Sequence, residues 1–212
     1  MTGVPKTLGR SAVLLVLALG AVACGAPSDT FVASPDNDLV LKLPRTWSTV
    51  RTASSADSTT GQPDGGWNAV FDASRQPDAS HVDLSTKVQE PVAYARVAVL
   101  SDEQASGMDG DKLRDIMLPF TASARAQVSS DPRAATFKQI SDYDVRSSVA
   151  SGAHVVYSYD LGHGREVFDQ IAMVGSQRTR VYLLLVRCDQ SCYDTHRSEI
   201  AAVVDSFTVK VP

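Results

Sequence analysis

Two of the chain's three cysteines, Cys188 and Cys192, stand four positions apart near its C-terminal end. Thiols at this spacing can approach closely enough in a turn or at a helix start to form a disulfide bond, which persists outside the cytoplasm. The alternative is a metal site with His196 as a third ligand. Structural zinc normally needs four ligands, and no second Cys/His cluster supplies the fourth. The pattern therefore favours a disulfide bond and no metal.

The third cysteine, Cys24, follows a segment that is typical of an export signal. Residues 1–10 carry two basic and no acidic side chains, and residues 11–23 form an uncharged run shorter than the about 20 residues of a membrane-spanning helix. The Ala-Val-Ala sequence directly before Cys24 resembles the lipobox of bacterial lipoproteins, whose cysteine thiol is diacylated. The same sequence also suits ordinary signal peptidase, which would leave the thiol free. We predict a signal peptide over residues 1–23 and a lipid on Cys24.

No sequence motif predicts an enzyme. The chain has no Gly-x-Ser-x-Gly elbow, no phosphate-binding Walker loop and no His-Glu-x-x-His metal motif. The four histidines are spread along the chain, at His81, His154, His163 and His196. Folding could still assemble a Ser/His/Asp site from distant residues, but nothing in the sequence selects one. We predict no catalytic residue, no metal and no cofactor.

Several tyrosines fall on predicted strands, where most such residues pack in the core with the hydroxyl reaching the edge of the sheet. Some of them could instead line a concave pocket between the sheet and a helix. A mostly apolar pocket with a few polar groups suits an acyl chain or a glycolipid. The ligand-binding residues on this hypothesis are Tyr157, Tyr159 and Tyr182.

The composition is that of an ordinary globular protein, with 212 residues, 43% hydrophobic and 21% charged. The formal net charge is −4, from 20 basic and 24 acidic side chains. Removal of residues 1–23 takes away two basic side chains, so the mature chain carries 18 basic against 24 acidic ones, a net charge of −6. This acidic balance argues against nucleic acid as a partner.

The elements that must position these residues form one domain. We predict a flexible, lipid-anchored tether over residues 24–38 and a single domain over residues 39–212. Short strands joined by turns favour antiparallel pairing, and residues 181–186, apolar on both faces, indicate a central strand. Helical spacing appears over residues 109–128 and again near the C-terminus. Pro119 should either kink the first of these helices or start a second helix after Leu118. The fold class is therefore α+β, a mainly antiparallel sheet flanked by two long helices.

The layout resembles a known family. A Leu-x-Leu-Pro-x-x-Trp sequence begins at Leu41 after the lipoprotein signal, and an Ile-x-x-Val-Val-x-Ser-Phe sequence begins at Ile200. Together with the mid-chain helix and the following strands, these motifs resemble the actinobacterial LpqN/LpqT lipoproteins over about residues 35–212. The resemblance implies a PsbP-like fold, an antiparallel sheet flanked by helices, in an envelope protein that binds partners or lipidic ligands. It implies no catalytic residues.

These observations predict a protein anchored on the extracytoplasmic face of the cell membrane through the lipid on Cys24. We expect a non-catalytic binding module for a lipid, a glycolipid or an envelope protein partner. Two alternatives stay open at this stage. One is a scaffold subunit that stabilises a membrane complex, and the other is an envelope ester hydrolase.

Overall fold

The computed structural model describes residues 1–2, 28–56 and 63–210, with the backbone alone for residues 51–56 and 63–65. The predicted lipidation site Cys24 and nearly all of the predicted signal peptide lie outside the described residues, so both stay predictions. No helix in the described part of the chain is long and apolar enough to cross a membrane.

Seven strands form the main sheet of the domain. Their numbering starts at β3 because two strands of a smaller sheet, described below, come first in the chain. In chain order they are β3 (Ser48–Ala56), β4 (Pro63–Asp72), β5 (Val92–Val99), β6 (Lys138–Arg146), β7 (Ala150–Asp160), β8 (Arg165–Gly175) and β9 (Arg180–Asp189). Their order in space is β3-β4-β5-β9-β8-β7-β6, and every neighbouring pair is antiparallel. The predicted antiparallel α+β fold is confirmed.

The central position of β9 follows from its composition. Residues 181–188 are all buried, because β9 lies between β5 and β8 and is covered on both faces. The preceding hairpin joins β7 to β8 through Gly162 and Gly164, whose φ angles of 90° and 124° lie in the region that favours glycine. The apolar run of β9 therefore fixes the middle of the sheet, as its sequence pattern predicts.

A second, three-stranded sheet contains β1 (Asp29–Ala33), β2 (Leu39–Pro44) and β10 (Thr208–Val209), in the order β1-β2-β10. The predicted tether over residues 24–38 needs correction here, because residues 29–33 form a strand that pairs with β2 along its length. Thr30, Phe31 and Val32 have high strand propensity, and the neighbouring β2 supplies the hydrogen-bonding partner.

Four helices accompany the sheets: α1 (Asp102–Gly107), α2 (Gly110–Arg114), α3 (Ala122–Gln127) and α4 (Gln190–Asp205). Two short 3-10 helices also occur, Ala79–Val82 and Pro132–Thr136. Among the helices of the described residues only α4, with 16 residues, is long, so the prediction of two long helices was wrong for residues 109–128. α2 ends at Arg114 and α3 begins at Ala122, so Pro119 lies in the loop between two helices and not at a kink within one.

The main sheet buries different residues on its two faces. The first face packs against α4 and the small sheet, and its core includes Tyr182, Leu184, Val186, Ile200, Val203, Val204, Leu39 and Leu41. The second face packs against residues 101–137, which we call the helical cover. Its two smaller clusters include Val155, Tyr157, Phe168 and Leu185 on one side and Leu113, Ala172, Val181 and Leu183 on the other.

Candidate ligand groove

One apolar cavity of about 190 Å³ lies between the helical cover and the end of β7. Six of the residues around it are apolar or aromatic: Leu118, Pro119, Val128, Ala134, Tyr159 and Leu161. The two charged residues of its wall, Asp131 and Arg133, are paired with each other through Arg133 Nε at 2.9 Å from Asp131 Oδ2. The interior of this cavity therefore presents hydrocarbon rather than unpaired charge.

The cavity exists because the helical cover is interrupted above it. The Asp115 carboxylate accepts hydrogen bonds from the backbone N–H groups of Phe120 and Thr121 and from the Thr121 hydroxyl, each at 2.7 Å. These bonds hold a loop where a continuous helix would have filled the space. The Tyr159 hydroxyl donates to the carbonyl of Pro119 and ties this loop to the sheet.

Tyr157 does not reach this cavity. It is fully buried, stacks on Phe168 with 5.4 Å between the ring centroids, and meets the ring of Phe120 edge-on at 5.5 Å. Its hydroxyl donates to Gln170 Oε1, and the amide of Gln170 in turn donates to the Leu113 carbonyl at 3.0 Å. Burial raises the pKa of Tyr157 well above its ordinary value. Tyr157 thus anchors the cover to the sheet from inside the core.

Tyr182 lies on the other face of the sheet, where its hydroxyl donates to Asp38 at 3.2 Å. Asp38 is buried and also accepts from the Ser34 hydroxyl and from Arg180. Burial would raise the pKa of Asp38, but these hydrogen bonds and the Arg180 charge hold it below its ordinary value. Burial and the carboxylate raise the pKa of Tyr182 to about 12. The structure therefore does not bring the three tyrosines together, and only Tyr159 borders the apolar cavity.

A second cavity under the cover, of about 130 Å³, contains a residue that sequence reasoning missed. Arg96 on β5 lies among the apolar residues Leu100, Met108, Ile116, Met117, Val181 and Leu183. Its Nε is buried without a hydrogen-bond partner, and its guanidinium forms no ion pair with the part of the chain that the structure describes. The sequence could have indicated this position, because side chains alternate between the two faces of a strand and Arg96 therefore shares a face of β5 with Tyr94 and Ala98.

Two histidine–aspartate pairs have the geometry of half a catalytic triad. His154 Nε2 is 2.6 Å from Asp169 Oδ1, while the Tyr143 hydroxyl contacts His154 Nδ1 and the Tyr193 hydroxyl donates to Asp169 Oδ2. The other pair joins His81 Nδ1 to Asp72 Oδ2 at 2.7 Å. Among the described residues, no serine or threonine hydroxyl contacts either histidine. These pairs therefore present no activated nucleophile.

The Asp72 pair holds a loop rather than a substrate. Asp72 is fully buried and accepts backbone N–H groups of Ser74 at 2.8 Å and Asp78 at 2.9 Å in addition to His81. Burial would raise the pKa of Asp72, but these hydrogen bonds keep it below the ordinary value. A recess of about 570 Å³ beside it is lined mainly by polar groups, including Lys87 and Glu90. Such walls suit water better than an acyl chain.

A buried ion pair closes the second face near the 3-10 helix Ala79–Val82. Arg187 and Glu166 are each 1% exposed, and Arg187 Nη2 lies 2.9 Å from Glu166 Oε2. Arg187 also donates to the carbonyls of Val82 and Asp83. Burial raises the pKa of Glu166 despite this partner. The Nη atoms of Arg187 are thus paired within the protein, although its Nε, like that of Arg96, has no hydrogen-bond partner among the described residues.

Cys188 ends the buried stretch of β9 and Cys192 lies in the first turn of α4, and the structure places the two at disulfide distance with 5.9 Å between the Cα atoms. The N-cap of α4 is Asp189, which accepts from the backbone N–H of Cys192 at 2.9 Å. His196, the third ligand of the metal alternative, lies 3.3 Å from both Glu90 and Glu199 instead. No metal-binding cluster occurs among the residues described.

No protein-family model matches the sequence, and no curated protein matches it. Among solved structures, it is similar to cyanobacterial PsbP (CyanoP) from Synechocystis sp. PCC 6803, with 12% identity and a TM-score of 0.49 over 91% of this chain and 99% of that one. It is also similar to LpqN of Mycobacterium tuberculosis, described as involved in cell envelope biogenesis, with 13% identity and a TM-score of 0.46 over 86% and 91%. The Ran-binding protein Mog1p of Saccharomyces cerevisiae gives 9% identity and 0.44 over 85% and 95%.

The two kinds of protein named by the sequence resemblance, PsbP and LpqN, thus both occur among the structural neighbours. Identities and TM-scores this low carry no information about site residues or activity. Without a matching family model, membership of the LpqN/LpqT family stays a prediction.

Proposed function

We propose that this protein is a lipid-anchored binding module of the cell envelope that holds part of an acyl chain under its helical cover. The observation that carries the proposal is the 190 Å³ cavity beside Tyr159, with its apolar walls. It is smaller than the about 300 Å³ from which pockets for drug-sized ligands start, so it would take part of one chain rather than a whole lipid. The anchor on Cys24 would place this cavity near its ligand at the membrane surface.

Native mass spectrometry of the chain purified from cells without organic solvent tests the ligand. We expect a fraction of the protein to carry an extra mass that fragments to an acyl chain. In Ala134→Phe, the added ring fills the cavity from its wall, and the fraction of protein that carries the extra mass should fall at least fivefold. Ala135→Phe is the matched control, because Ala135 is the exposed neighbour outside the cavity. A wild-type chain that is always empty, or equal loss in both variants, would contradict the proposal.

The anchor has its own test. Cells that express the full chain are fed an alkyne fatty acid, and the protein is then probed for the label. We expect labelled protein in the membrane fraction and unlabelled, released protein for Cys24→Ser. Unlabelled wild-type protein that is cut before Cys24 would show that ordinary signal peptidase processes the chain.

A second function, binding of an envelope protein partner, is favoured by one observation at the other end of the sheet. The strand β6 is a terminal strand, and its Ile140 and Tyr143 are 48% and 49% exposed. An edge strand with exposed apolar side chains is a surface on which another chain can pair. Crosslinking in intact cells should recover a reproducible partner that Ile140→Asp loses. Recovery of the same partner by the wild type and by Ile140→Asp would exclude β6 as the binding site of that partner.

A further inference from the structure

We infer that the Arg96 cavity recognises the anionic end of an amphiphile, a carboxylate or a phosphate attached to a short stretch of hydrocarbon. This inference rests on the proposed acyl-binding function and adds the chemistry of the ligand's head. Its starting point is the guanidinium of Arg96, a positive charge whose buried Nε has no hydrogen-bond partner in the described part of the chain.

The state of Arg96 differs from that of comparable arginines in the domain. Arg114 is paired with two carboxylates, at 2.8 and 2.9 Å, and Arg180 is paired with Asp36 and Asp38. Arg187 shares a buried Nε without a partner, but its Nη atoms are paired with Glu166 and with carbonyls, whereas Arg96 has no ion pair with any described residue. A buried polar group without a partner costs free energy, and at Arg96 no described carboxylate offsets this cost, so an anionic ligand could supply the missing acceptor.

The guanidinium sets the class of head group. It is always charged, and its planar fork matches the two oxygens of a carboxylate or phosphate. A neutral alcohol or ester has no charge to offer. Because the charge at Arg96 is half-buried, its attraction for an anion is screened less by salt than that of an exposed arginine.

The rest of the cavity sets the class of tail. Leu100, Ile116, Val181 and Leu183 offer hydrocarbon, while Met108 and Met117 add flexible side chains that can adapt to a guest. A volume of about 130 Å³ equals the share of roughly four water molecules in the liquid, which is space for only the first few methylenes beside the head. A free inorganic anion would leave these apolar walls unused.

The main experiment titrates the full chain with carboxylates from acetate to octanoate and follows binding by calorimetry. We expect affinity to rise about threefold to fourfold per methylene up to hexanoate, and then to level off as the cavity fills. Hexanol should bind at least tenfold more weakly than hexanoate. Equal binding of hexanol and hexanoate, or no binding of hexanoate, would overturn the inference.

Variants separate charge from cavity. Arg96→Gln should weaken hexanoate binding at least tenfold and leave hexanol binding unchanged. Arg96→Lys keeps the charge but not the planar fork, so its affinity for hexanoate should lie between those of wild type and Arg96→Gln. Ala98→Leu, which fills the apolar part, should remove the dependence on chain length. Arg146→Gln is the matched control, because Arg146 is an exposed arginine on β6 with three strands between it and β5. Equal weakening by Arg146→Gln would reduce the effect to net charge.

The source of the anion is separated with hexyl phosphate, inorganic phosphate and acetate. Tighter binding of hexyl phosphate than of inorganic phosphate supports an amphiphile, and equal binding would overturn it in favour of a free-anion site. The two hypotheses also fail separately. If Ala134→Phe abolishes the co-purified acyl mass while Arg96→Gln has no effect on hexanoate, the head-group inference fails and the proposed function stands. If hexanoate binding depends on Arg96 while no acyl mass is ever recovered, the head-group inference stands and the proposed function fails.

Discussion

The two faces of the main sheet are built from the same strands but are covered in different ways. On the first face, the 16-residue helix α4 and a second sheet supply long, regular apolar stripes. On the second face, α1, α2 and α3 have five or six residues each and are joined by loops. Regular elements interdigitate along their whole length, whereas short ones leave gaps where they end.

The cavities follow this difference. The helical cover leaves about 190 Å³ beside Tyr159 and about 130 Å³ beside Arg96. The recess that Tyr182 borders on the first face measures only about 50 Å³. We therefore interpret the first face as the part that stabilises the fold and the second as the part with space for the ligand that we propose.

The strongest test of this comparison removes one apolar side chain from each face. Ile200→Ala on α4 deletes a fully buried side chain and should cost about 2–5 kcal/mol of unfolding free energy. Leu118→Ala on the helical cover deletes a half-buried side chain beside an existing cavity and should cost less than about 2 kcal/mol. Urea unfolding of both variants measures the difference. Equal losses of unfolding free energy would mean that the two faces contribute equally to stability.

The first face should also be sensitive to acid through Asp38. Its folded pKa is below the unfolded value, so its contribution is complete above the unfolded pKa and is lost as pH falls through the folded one. Asp38→Asn should cost about 1.5–3 kcal/mol at pH 7, and the gap to wild type should narrow below about pH 4. Thermal melts across pH 2–7 check this. A gap that does not change with pH would exclude the carboxylate charge as its cause.

A matched pair of enlargements compares the free space on the two faces. Ala95 and Ala98 lie on the same strand, Ala95 fully buried in the first-face core and Ala98 at the wall of the Arg96 cavity. Ala95→Leu should cost about 1–3 kcal/mol through overpacking, while Ala98→Leu should stay within about 1 kcal/mol of wild type. Chemical denaturation measures both. A larger loss for Ala98→Leu would show that its cavity is not usable space.

Reduction of the Cys188–Cys192 pair should have the smallest effect. The bond closes a loop of only a few residues, so the chain-entropy model gives at most about 2 kcal/mol. The loss should appear equally with a reductant and in a Cys188→Ser, Cys192→Ser double variant, measured as the melting temperature. No difference between reduced and oxidised protein would indicate that the thiols are unbonded in solution.

Local patterns in the sequence were sufficient for much of the fold. The two-sided apolar run of residues 181–186 correctly predicts a central strand, and the glycine turn at Gly162 and Gly164 correctly predicts a hairpin. The helical spacing over residues 109–128 led to a wrong prediction of one long helix. The spacing of apolar residues carries no information about the loop around Pro119, which hydrogen bonds to Asp115 stabilise. Tyr159 borders a cavity, while Tyr157 and Tyr182 lie in separate cores, and ligand binding by any of the three stays a prediction.

The sequence by itself determined the antiparallel α+β class, the strand that lies at the centre of the sheet and the close approach of Cys188 to Cys192. All of these depend on residues that are near one another in the chain. Only the tertiary structure decided that the Nε of Arg96 has no hydrogen-bond partner among the described residues and that the cover leaves apolar space beside it. Whether a charge is satisfied depends on which distant side chains reach it, and one-dimensional patterns do not contain that information.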